Sequence, residues 1–187
     1  LTSGSAHTRK KEPQRVRRAL LDCAIDIAAE QGLANVTVSA VAVAAGVTKG
    51  GLFHHFASKQ ALVEAMVDDL LERLDQQIDQ EMDDEPTAPG RFTRAYVSAT
   101  LTMDERPRRA WTALGGSLAI DSSLTPRWTA WMDARLRRHA DTDAAPLFEV
   151  IRLAVDGAWL AQISGAAHGI DAFRLRKTLL DLSRGVK

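Results

Sequence analysis

The chain has one cysteine, Cys23. Without a second thiol it can form no intrachain disulfide and no cysteine-built zinc site. Cys23 lies in an apolar helical register, which reads as a buried structural thiol rather than a redox sensor. Long hydrophobic runs are also missing: nothing approaches the roughly 18 to 20 apolar residues of a bilayer-spanning helix. With no signal peptide visible, a cytoplasmic protein is expected. Net charge is zero, 24 Lys and Arg against 24 Asp and Glu, which argues against a nonspecific polycation. No convincing strand alternation occurs, and there is no nucleophile motif, phosphate-binding loop or paired metal-ligand spacing. No cofactor, metal or catalytic residue is therefore assigned.

What the chain does have is helical periodicity over 187 residues, enough for one small N-terminal unit continuous with a larger helical body. Its charge is unevenly spread. Residues 1–60 hold eight Lys or Arg against four Asp or Glu, whereas residues 61–90 hold ten acids and the single base Arg73. The acidic stretch reads as a solvated helix face. The basic end reads as a surface for nucleic acid.

Residues 37–59 organise the rest. Thr37 is a cap for a short helix whose apolar positions Val38, Val41 and Ala42 fall at helical spacing. Gly46 then supplies the positive φ needed to leave one helix and enter another within about 3 to 4 residues. Thr48 caps a second helix, expected over 49–55, with Val47 and Leu52 pointing back onto Val41. Lys49, Gly50, Gly51, Phe53 and His54 are left facing outward, as on a helix that enters a DNA groove.

Gly32, Thr37, Ala42, Ala45-Gly46-Val47, Gly50, Leu52, His55-Phe56 and Ser58-Lys59 follow, without insertion, the N-terminal signature of the TetR family. The chain resembles a TetR-family transcriptional regulator over residues 13–66. It departs in two places: Phe53 stands where the family usually carries Tyr, losing a hydroxyl that could bond a phosphate, and Gly51 stands where Thr, Ser or Ala is common. The resemblance implies an all-α fold of about nine helices. Residues 1–57 would form a three-helix helix-turn-helix DNA-binding domain and residues 58–187 a helical ligand-binding and dimerisation domain.

For DNA contact, Thr37, Thr48 and Lys59 are phosphate candidates because their donors converge at helix starts; for each Thr, capping is an equal reading and both can hold. Lys49 either reads guanine O6 and N7 or contacts another phosphate. Gly50 and Gly51 give close backbone approach or merely a tight turn. Arg17, with Arg15 and Arg18, lies in a basic first helix that either tracks phosphates or is solvated. By the resemblance, Phe53 presses against sugar or a thymine methyl and His55 contacts a phosphate, while His54 is either a contact or solvent-exposed.

Pro13 suits the first turn of helix 1, and Ser58 opens a long helix striped by Leu62, Met66, Leu70, Leu74 and Ile78, ending by Pro86. Residues 87–90 and 139–146 read as loops. Stripes between Phe92 and Met132 are rich in aromatic residues. They either pack the core or, as the resemblance implies, enclose an effector cavity lined by Phe92, Tyr96, Met103, Trp111, Leu114, Trp128, Trp131 and Met132. Its effector would be apolar or aromatic, with cation–π contacts open to a cation. Asp156-Gly157-Ala158-Trp159-Leu160 resembles a segment of the family's penultimate helix. Leu153, Asp156, Gly157, Trp159, Leu160, Ile163, Phe173 and Leu179 are accordingly assigned to a homodimer interface, with an intrachain hairpin as the other reading.

The expected function is a dimeric repressor that leaves a pseudo-palindromic DNA operator when a small molecule binds the body. A DNA-binding regulator whose body binds a protein partner or nothing is the alternative. A helical enzyme using His139 or His168 with nearby acids has little to support it.

Overall fold

The computed structural model describes residues 5–83, 85, 88–164 and 170–185, with side chains described from residue 12 onward except those of 119 and 120. His168, Pro86, Thr87 and the side chains of Arg9, Lys10 and Lys11 lie outside the described residues. Among the described residues there are ten helices and no strand. In chain order they are α1 (Ser5–Gln31), α2 (Val38–Ala44), α3 (Lys49–Phe53), α4 (Lys59–Asp83) and α5 (Arg91–Leu101). After these come α6 (Glu105–Ile120), α7 (Thr125–Arg138), α8 (Ala140–Asp143), α9 (Pro146–Ile163) and α10 (Ala172–Arg184).

Besides the end of α3, two bounds differ from the sequence reading. Pro13 is inside α1 rather than in its first turn, so the helix runs through a residue that has no amide to donate. The second is α8, a single helical turn where a loop was expected, which makes ten helices instead of about nine. This turn places the buried Asp143 at the start of α5, where it accepts from the Phe92 amide at 3.2 Å and the Thr93 amide at 2.7 Å. A carboxylate on two otherwise orphaned amides is a strong N-terminal cap, here delivered from another helix. Gly90 makes this junction possible. It has φ 79°, its amide donates to the Thr142 carbonyl at 2.7 Å, and a Cβ there would overlap the buried ring of Phe148.

α4 runs through both hydrophobic clusters. Leu62, Met66 and Leu70 pack with Leu20, Ala24 and Ala28 of α1, Val41 and Leu52 of the small helices, and Trp111, Leu114 and Leu118 of α6. Leu74, Ile78 and Met82 pack with Phe92, Tyr96, Ile151, Val155 and Leu180. The N-terminal unit and α6 therefore share one core, with no solvent-filled hinge between them.

The acidic side of α4 is only partly a solvated face: Glu72 and Asp83 are exposed, but five other acids pair with arginines. Asp69, 7% exposed, takes Arg18 of α1 and, at 2.9 Å, Arg73, while Asp22 takes Arg18 at 2.6 Å and Arg73 at 2.9 Å. Arg127 of α7 reaches Glu64 at 2.8 Å and Asp68 at 2.5 Å, and the buried Arg135 binds Asp75 and, at 2.6 Å, Asp79. Burial disfavours the Asp69 charge and raises its pKa despite Arg18, whereas the hydrogen bond from Arg135 holds Asp79 below the ordinary carboxylate value, so the two pairs differ in what they contribute.

Candidate DNA interface and effector cavity

The helix-turn-helix forms as its residues dictate. The Thr37 Oγ1 accepts from the Ala40 amide at 3.1 Å and the Thr48 Oγ1 from the Gly51 amide at 3.0 Å, each capping its helix. Between them Gly46 sits at φ 66°, and the Val47 amide donates to the Ala42 carbonyl at 2.9 Å. That six-to-one bond is a Schellman closure, which satisfies the end of α2 while turning the chain into α3. α3 is two residues shorter than the sequence suggests and ends at Phe53.

Lys49, Gly50, Phe53 and His54 fall at the spacing of one helix face, and all are exposed; Phe53, a large apolar side chain, is 49% exposed. Gly51 is half-buried against Val47 and Thr48. Thr37 and Thr48 are exposed at the two helix starts, and Lys59 is exposed as the first residue of α4. Arg17 has a structural role that the sequence did not reveal. One of its guanidinium nitrogens donates to the His55 carbonyl at 3.0 Å, and the guanidinium lies 4.3 Å over the Phe56 ring. It thereby clasps α1 to the turn behind α3. His55 is half-buried beneath that clasp.

In the body a small cavity of about 40 Å³ lies among α4, α5, α6, α7 and α9. Four of the eight expected residues line it: Tyr96, Met103, Trp111 and Trp128. The other four do not. Phe92 is fully buried and stacks on His139 with ring centroids 5.1 Å apart; Leu114 belongs to the core shared with α1; Trp131 donates its indole N–H to Asp75 at 2.8 Å; and Met132 packs behind the cavity. Their apolar spacing was right for burial but could not say on which side of each helix the free space lies.

The cavity instead takes Leu74, Thr100, Leu101, Arg108 and Gln162, and also Asp156 and Trp159, which the sequence reading gave to the dimer interface. The Tyr96 hydroxyl donates to Asp156 at 2.5 Å. Burial pushes Tyr96 well above the ordinary phenol range, and the neighbouring Asp156 adds to the shift. Burial likewise raises Asp156, offset in part by that hydroxyl and by Arg152. The Thr100 hydroxyl is buried without a hydrogen-bond partner among the described residues. An acid in an otherwise apolar helix stripe, here the half-buried Asp156, is the sequence signal that would have found this site.

The remaining residues of the interface list also divide. Leu153 (61% exposed), Leu160 (56%), Phe173 (75%) and Gly157 face outward, whereas Ile163 packs over Gly115 of α6 and Leu179 is buried in the core. Leu147 and Val150, absent from that list, extend the outward apolar stripe of α9. Burial pushes the Cys23 thiol up, away from the reactive thiolate. No helix among the described residues is long and apolar enough to cross a membrane.

An exposed, capped recognition helix on an all-helical scaffold defines the helix-turn-helix class. Comparison narrows it. Residues 20–66 match the model of the bacterial regulatory proteins of the tetR family, and residues 90–184 match that of the tetracyclin repressor-like C-terminal domain, so the chain belongs to the TetR family. It is 48% identical over 48 residues to the HTH-type transcriptional repressor KstR2 of Rhodococcus jostii strain RHA1, a match covering 26% of this chain and 24% of that one. It is 37% identical over 57 residues to the HTH-type transcriptional regulator AcrR of Shigella flexneri, covering 30% of this chain and 26% of that one. These matches thus span only about a quarter of the curated relatives. Over nearly the whole chain the fold is similar to that of the multidrug binding protein EbrR solved with imidazole (TM-score 0.71, 21% identity, 98% of this chain and 97% of that chain). It is also similar to a transcriptional regulator from Rhodococcus sp. Rha1 (TM-score 0.70, 24% identity, 92% and 94%).

Proposed function

We propose that the chain is a dimeric DNA-binding transcriptional repressor whose hold on a pseudo-palindromic operator is weakened by a small molecule in the body. Residues 1–57 read DNA and residues 58–187 bind the effector and the second subunit. The observation that carries the reading is the exposed face of α3, where Lys49, Gly50, Phe53 and His54 stand clear of the protein on a helix capped by Thr48 and set by the Schellman turn that ends α2.

One short helix contacts few base pairs, so specificity requires a pair. The outward stripe of Val150, Leu153, Gly157 and Leu160 on α9, with Phe173 of α10, supplies an apolar face for a four-helix contact with a second copy. Paired heads then read half-sites about 34 to 36 Å apart, or a multiple of that.

The route from effector to DNA runs through α6 as well as α4. Trp111 is both a wall of the cavity and a member of the core shared with α1, and Arg106 reaches Asp26 of α1 at 2.5 Å. A ligand that displaces Trp111 pushes on the helix that carries the DNA-binding unit, and it weakens DNA affinity by its preference for the displaced arrangement. EbrR, described as a multidrug binding protein and solved with malachite green, supports reading the body as a ligand site.

The cavity of about 40 Å³ has room for water-sized molecules only, which gives weight to a second reading in which the body binds a protein partner or nothing. A thermal-shift screen of apolar, cationic and acyl compounds separates the two. Compounds that stabilise the protein and also lower its affinity for its operator are expected from the first reading; stabilisers without that effect, or no stabilisers, support the second.

A further inference from the structure

We propose that the effector is a flat aromatic cation seated between the indoles of Trp128 and Trp159 with its positive charge against Asp156. The inference rests on the body being an effector site and adds the charge and shape of what it takes. Shape comes from the indoles. Trp128 and Trp159 lie parallel, 6° apart in plane with centroids at 6.4 Å, and Trp111 stands edge-on to Trp128 at 80° and 6.1 Å. All three line the same cavity, and two of them, Trp128 and Trp159, are only half-buried, so they can part without unpacking the core. Parallel π faces select a planar ring system, and their negative quadrupoles favour one that carries positive charge.

The sign of the charge comes from Asp156. Its only hydrogen bond among the described residues is the one it accepts from Tyr96, which leaves its second carboxylate oxygen with no protein donor. Arg152, one turn away on the same helix, acts on Asp156 only through space, because its guanidinium donates to the Thr93 hydroxyl at 2.7 Å. Arg152 also lies in the fields of Asp143 and Glu149, so Asp156 shares its charge with two other acids. Arg108, the one base in the cavity wall among the described residues, is solvent-exposed and therefore screened. Asp156 thus faces the free space as an under-partnered acid, and the elevation of its pKa by burial has the same cause. A cation moving in would replace the missing partner and relieve that penalty.

The test uses three tricyclic probes of nearly equal shape on the purified full chain: 10-methylacridinium, acridine at a pH where it is uncharged, and acridine-9-carboxylate. Binding is read by quenching of tryptophan fluorescence, since three of the four Trp line the cavity. Methylacridinium should bind about tenfold or more tightly than acridine, with the carboxylate weakest. Asp156→Asn, folded by circular dichroism, should bring methylacridinium down to the level of acridine and leave acridine unchanged. Should that variant fold poorly, the order of the three probes on the unmodified chain decides alone. Acridine equal to methylacridinium, or the carboxylate tightest, overturns the charge assignment while still showing that the body takes ligands. Quenching by none of the three overturns the effector-site reading itself.

Discussion

At the scale of single residues, the DNA-facing surface and the cavity present different chemistry. Lys49 is a free ammonium at the start of α3, without a hydrogen bond or ion pair among the described residues, and so is available to a guanine edge or a phosphate. Lys49→Ala is expected to weaken specific binding by about 1 to 3 kcal/mol and to relax preference at one base position. Titration against a set of single-base operator variants checks this, and equal loss on every sequence would reduce Lys49 to a phosphate contact. Asp156 makes the opposite kind of prediction, about stability. Because burial raises its folded pKa, its favourable contribution belongs to the protonated form, is complete below the ordinary carboxylate range, and is lost as pH rises through the raised value. At neutral pH the ionised side chain therefore costs stability. Asp156→Asn should unfold at a higher temperature than the parent at neutral pH, with the gap closing as pH falls through that raised value. A lower melting temperature at neutral pH would contradict it. Tyr96, Arg152 and Arg108 are the groups whose charge or hydrogen bonding would have to be reconsidered then.

At the scale of elements, the small helices were legible because their signals are local. Thr37, Gly46 and Thr48 each act on backbone within a few residues, and each does in the structure what its chemistry requires. The body was legible only as helices. Periodicity marks Phe92, Leu114 and Trp131 as inward-facing, and they are packed; whether they meet a neighbouring helix or free space depends on tertiary positions no single stripe records. The ion pairs on the acidic face of α4 were not legible for a related reason, because its partners Arg18, Arg127 and Arg135 come from α1 and α7, far along the chain. α9 shows the same limit within one helix: at adjacent positions, Trp159 turns to the cavity and Leu160 to the outside. Leu160→Arg or Leu153→Arg should therefore yield a monomer at micromolar concentration with its fold intact, as read by sedimentation velocity and circular dichroism. An undiminished dimer in both variants would move the subunit contact elsewhere.

At the scale of the whole molecule, an exposed α3, a shared core through α4 and α6, and an apolar outer face on α9 and α10 fit the proposed arrangement, in which subunit pairing would set the spacing of two heads. The zero net charge suits such a device, since affinity comes from one local surface rather than from the whole chain. The central claim is that two copies read DNA together. In-vitro selection from a random duplex pool with the purified chain tests it most directly. The account predicts enrichment of an inverted repeat whose half-sites lie about one helical turn, or a multiple of it, apart; an unpaired half-site, or no enriched sequence at all, would contradict it.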